Sequence, residues 1–61
     1  EIIIENLDLT SFLFLELVNM KGDIIEFTRN SFLRTSDLAS GIYIVKITMQ
    51  NTSYLRKVNL N

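Results

Sequence analysis

The sequence predicts an all-β domain, a small antiparallel β-sandwich. Three observations predict it. Five apolar runs rich in Ile, Val, Phe and Tyr are separated by polar segments. The chain's two glycines fall in such polar segments, Gly22 within one and Gly41 at the end of another, where a sharp turn is needed. No proline interrupts any run, so nothing bars a strand from a central place in a sheet.

Each element follows from its residues. Ile2, Ile3 and Ile4 are β-branched and unbroken, which reads as a strand buried on both faces or lying at a seam. Asn6 to Ser11 alternates polar and small residues and reads as a loop. From Phe12 the run "FLFLELVNM" sends Leu13, Leu15 and Leu17 to one side. Phe12, Phe14, Glu16 and Val18 go to the other, so two apolar faces predict a central strand covered on both sides.

"NMKGD", Asn19 to Asp23, is the clearest turn. The Asn19 side chain can bond to the backbone beyond it, and Gly22 can take the positive φ of a type I turn with a bulge. Ile24 to Phe27 is then the return strand of a hairpin, and Phe32 is an isolated aromatic expected to anchor the following loop to the core. In "TSDLASG", Ser36 or Asp37 can cap a single helical turn, Leu38 can tuck beneath it, and Gly41 can end it with positive φ. Ile42 to Met49 is expected to be the innermost strand. Tyr54 to Leu60 alternates Tyr54, Arg56, Val58 and Leu60 against Leu55, Lys57 and Asn59, the pattern of a half-exposed edge strand.

The chain has 61 residues and a net charge of −1. A domain of this size buries only about 60% of its unfolded surface, so its core is thin. There is no Cys and no His, which removes zinc sites and thiol or histidine mechanisms. The 48% of hydrophobic residues must therefore supply the stability. No basic patch dominates, so no nucleic-acid partner is expected. No apolar run approaches the ~20 residues of a membrane helix. The chain begins with Glu1 rather than Met, and the expectation is a fragment of a longer protein, with residues 1–61 as one domain.

Catalytic and ligand chemistry finds little to use. Glu5 and Asp8 are close in sequence and Asp37 could join them, but solvated turn and strand residues account for all three. Calcium at Asp8 or Asp37 would want an Asp-rich loop, and none is present. Tyr43, Tyr54 and the four Phe residues could line a sugar-binding face, but core packing at strand positions accounts for them. No cofactor is expected.

"LVNMKGDII", Leu17 to Ile25, and "DLASGIYIVKI", Asp37 to Ile47, resemble the C-terminal sorting domain of type IX secretion cargo, type A. In that family a strand, then Asp-x-x-Gly-Arg, then a return strand form a hairpin. Here Asn19, Met20, Lys21, Gly22 and Asp23 fill it. A Leu, a spacer and Gly-x-Tyr-x-Val precede the penultimate strand, matched by Leu38, Gly41, Tyr43 and Val45. A basic, apolar last strand is matched by Arg56, Lys57, Val58 and Leu60. Two departures stand out. Asn19 and Asp23 replace the usual Asp and Arg, which removes a salt bridge. The family's opening strand with its Pro-Asn-Pro element is absent, so that strand was trimmed, is supplied by another chain, or lies outside a partial resemblance.

The resemblance implies an Ig-like sandwich that directs an attached cargo across the outer membrane. It implies recognition by the outer-membrane translocation machinery and removal by a surface sortase, with the cargo secreted or held at the outer-membrane surface of a Gram-negative bacterium. The domain would be a substrate and not an enzyme. The expected recognition residues are Gly22, Gly41, Tyr43, Arg56 and Lys57, with a purely fold-shaping role as the competing reading for the first three. The alternative function is a non-catalytic Ig-like or fibronectin-like accessory module of an exported protein. An edge left open by a missing strand would also suit a homodimer formed by strand exchange.

Overall fold

A computed structural model describes residues 1–61. Six strands form: β1 (Ile2–Ile3), β2 (Phe12–Asn19), β3 (Ile24–Thr28), β4 (Phe32–Leu33), β5 (Gly41–Met49) and β6 (Ser53–Leu60). They build two antiparallel sheets, one of four strands in the order β3-β2-β5-β6 and one of two strands, β1-β4. The molecule is a small β-sandwich. The long runs found their expected places: β5 lies inside the larger sheet and β6 at its edge.

The core lies between the sheets. Leu15 and Leu17 of β2, Leu33 of β4, and Tyr43, Val45, Ile47 and Met49 of β5 are its seven buried residues. Ile2, Ile4, Leu7, Phe12, Leu38, Val58 and Leu60 pack around them. Register explains the set. Leu15 opposes Ile47 and Leu17 opposes Val45, so their side chains leave the sheet on one face.

Several local expectations are corrected. Phe32 is 38% exposed while Leu33 is 4% exposed, so Leu33 is the anchor, and the pair forms the short strand β4 against β1. Alternation decides this: Ile2 pairs with Leu33 and faces the core, and Ile3 pairs with Phe32 and faces out at 63% exposure. The isoleucine strand is thus buried on one face only. Ser36 and Asp37 cap nothing. The turn there is closed by the Leu38 amide donating to the Thr35 carbonyl at 3.1 Å, with Leu38 packed on the core as expected.

Strand β2 also departs from simple alternation. Its pairing with β5 shifts between Phe12 and Phe14, leaving Leu13 as an extra residue. This bulge reverses the faces beyond it. Phe12 joins the core beside Met49 and Leu13 turns outward. The remaining outward residues, Phe14, Glu16 and Val18, have no second sheet over them, so β2 is covered on one side and not two. Aromatic packing follows the same division. Tyr43 alone of the six aromatics is buried, and Phe27, Phe32 and Tyr54 are exposed.

Candidate functional site

The expected recognition residues come from two turns and one strand. The first turn is the β2–β3 hairpin. Asn19 organises it: its side-chain carbonyl accepts the amides of Lys21 at 3.0 Å and Asp23 at 2.9 Å. The Asn19 backbone amide donates to the Asp23 carbonyl, and the Gly22 amide donates to the Asn19 carbonyl, both at 3.0 Å. Gly22 completes the loop at φ 93°, a region that side-chain-bearing residues rarely adopt. The pairing then shifts between Leu17 and Val18, so β3 accommodates one extra residue. In place of a salt bridge, the Asn19 amide donates to the Asp23 carboxylate at 3.5 Å.

The second turn leads into β5. Gly41 has φ 151° and opens directly into the strand. The Tyr43 hydroxyl reaches back to donate to the Ala39 carbonyl at 2.7 Å. That bond ties the ring of a core residue to the loop that delivers it. Leu38 beneath, Gly41 at the bend and Tyr43 across it therefore act as one latch. The spacing Leu38, Gly41, Tyr43 has a mechanical reason: the bend returns the chain over the leucine, and the tyrosine is the first inward residue long enough to close the loop.

The two turns meet. Asn19 is the register partner of Tyr43. The hairpin residues Met20 and Lys21 and the bend residues Ser40 and Gly41 line one shallow depression of about 320 Å³ at that end of the sheet. Leu60 pairs with Gly41, so the last residues of β6 reach the same end.

Arg56 and Lys57 do not join this end as a pair. They oppose Val45 and Ile44 in the middle of β6. As neighbours on a strand they point to opposite faces. Arg56 borders a second cleft of about 620 Å³, which Ile3, Leu7, Ile47, Met49 and Tyr54 also line. Lys57 lies on the uncovered face. The cleft exists because the two-stranded sheet spans less width than the four-stranded one, and β1 is paired with β4 alone.

The carboxylates stay apart from any shared chemistry. Asp8 turns back on its own loop, where it accepts the Thr10 hydroxyl at 2.6 Å, the Thr10 amide at 3.1 Å and the Ser11 hydroxyl at 3.2 Å. The Thr10 hydroxyl first, then the Thr10 amide and the Ser11 hydroxyl, hold its carboxyl below the ordinary aspartate value. This is a loop staple, and its signal in the sequence, Asp-x-Thr-Ser, is too short a pattern to stand out among polar loops.

The sequence profile of the secretion system C-terminal sorting domain matches residues 2–61. The chain has no match among curated proteins and none among solved structures.

Proposed function

Because the chain belongs to the secretion system C-terminal sorting domain family, the sorting signals of type IX secretion, we propose that its recognised surface is the end where its two glycine turns meet, together with β6. As a type IX sorting signal it directs export to the cell surface or beyond and engages the type IX secretion machinery. The proposal concerns how. Residues 1–61 form the sorting domain of a longer exported protein. The outer-membrane translocation machinery reads Gly22, Gly41 and Tyr43 through the loop shapes that they enforce. It reads Arg56 and Lys57 through their charge. A surface sortase then removes the domain, and the cargo finishes at the outer-membrane surface of a Gram-negative bacterium. The domain is an address and has no catalytic part in this.

The observation that carries the reading is the family match over nearly the whole chain, coinciding with the Leu38–Gly41–Tyr43 latch. The 620 Å³ cleft supports the reading that the domain's opening strand lies outside this chain, since an added strand there would find β1 with a free edge. The test is a fusion of residues 1–61 behind an exported reporter in a host with the pathway. Surface display is expected, and full periplasmic retention, with the fusion folded, overturns it. Charge reversal of Arg56 and Lys57 together is expected to cut surface display while leaving the fold intact. Undiminished display would remove those two residues from the recognised surface.

A further inference from the structure

The four-stranded sheet has a second face that the β1-β4 sheet does not cover, on which apolar residues from all four strands stand among Glu16, Lys46, Thr48, Ser53, Lys57 and Asn59. Phe14, Val18, Ile24, Phe27, Ile44 and Leu55 project from it. Leu55 is 65% exposed and Phe27 is 49% exposed. The Phe14 and Phe27 rings lie 5.1 Å apart, and the Arg29 guanidinium sits 5.6 Å from the Phe27 ring centre. Exposed apolar side chains gathered on one face in this number mark an interaction surface.

The pattern of charge on this plate specifies the occupant. Glu16 pairs with Lys46, with Phe27 beyond Glu16 on β3 and Leu55 beyond Lys46 on β6. The row across the sheet therefore reads apolar, acid, base, apolar. Rotation by 180° about an axis running between β2 and β5 leaves that row complementary to itself. Glu16 of one copy then faces Lys46 of the other, and Phe27 faces Leu55. Each of the four central charges then has an opposite charge beside it and another across the interface. Lys57, on the same face at the β6 edge, faces Ile24 of the other copy and keeps its ammonium at the rim, in water. A foreign apolar partner would leave Glu16 and Lys46 to each other alone. We propose that this uncovered face is a self-complementary interface through which two copies of the chain stack sheet on sheet.

Such stacking differs from strand exchange at the open edge, because no strand leaves its own sheet. Four strands spaced about 4.8 Å apart, three of them eight or nine residues long and β3 five, make a plate of roughly 500 Å² per copy. The pair then buries on the order of 1,000 Å², at the low end for specific interfaces, so the dimer is a weak one.

The test is sedimentation of the full chain over a range of concentrations, with circular dichroism to follow the fold. The native chain is expected to shift from monomer to dimer. Leu55→Ser and Glu16→Lys should each raise the Kd by about tenfold, and the swapped pair Glu16→Lys with Lys46→Glu should recover most of the loss. Should Glu16→Lys fail to fold, Leu55→Ser at its exposed site still reads the interface. A native chain that stays monomeric overturns the proposal and leaves the face to another partner. A dimer indifferent to both variants also overturns it, in favour of strand exchange.

Discussion

The two faces of the four-stranded sheet start from similar sequence and end in different surroundings. On β2, Leu15 and Leu17 point one way and Phe14 and Val18 the other, all apolar. On the inner face the leucines are fully buried beneath β1 and β4. On the outer face nothing of this chain covers the phenylalanine and valine. Apolar alternation shows that a face can be buried. It does not show that the chain has enough material to bury it. Here two strands of two residues each, with Ile4, Leu7 and Leu38 from the adjoining loops, cover one face only.

The largest test of this contrast compares a leucine from each face. Leu17→Ala removes a fully buried side chain from a thin core and should cost about 2–5 kcal/mol. That is a large share of the stability of so small a domain. Leu55→Ala on the outer face should stay within about 0.5 kcal/mol in the monomer. Thermal or urea unfolding at low concentration measures both, and equal costs would mean that the outer face is covered in solution.

Next comes the latch that steers β5 into the core. Gly41→Val should destabilise by about 1–3 kcal/mol, since φ 151° strains a β-branched residue. The nearest atom to an added Cβ is Tyr43 Cε1 at 4.0 Å, so backbone strain and not crowding sets the cost. An unchanged melting temperature would refute that conformation. Tyr43→Phe keeps the buried ring and loses the 2.7 Å bond to the Ala39 carbonyl. About 1 kcal/mol is expected, read as a shift in the denaturant midpoint with an unchanged slope.

The smallest effect belongs to Asp8, outside both faces. Its carboxyl is held below the ordinary value of 3.8 by the Thr10 and Ser11 donors. A depressed folded-state pKa favours the folded state when the group is ionised. The contribution is complete above pH 3.8 and fades as pH falls below it toward the folded-state value. Asp8→Asn lacks this contribution. The difference in melting temperature between the two proteins should shrink as pH is lowered from 5 to 2, and a difference constant over that range would deny the staple any ionic part.

Much of the fold and of the candidate site was legible because it is local. The Asn19–Gly22 turn, the Gly41 bend and the exposed alternation of β6 each depend on residues within a few positions of one another. Arg56 and Lys57 were readable as opposite-facing neighbours for the same reason. The Leu13 bulge was not, because one unpaired residue leaves no trace in an apolar run whose neighbours are also apolar. The pairing of β1 with β4 was not either. Two residues are too few to show a period, and they meet across some thirty intervening positions.

By itself, then, the sequence determined the strand-forming runs, the two glycine turns and the family to which the chain belongs. These follow from side-chain shape and backbone freedom along contiguous stretches. Only the tertiary structure decided which apolar face became the core, that Leu33 and not Phe32 fills it, and that the Gly22 and Gly41 turns share one end of the sheet. Those outcomes depend on register and on how much chain is left to form a second layer, and both are properties of distant segments brought together.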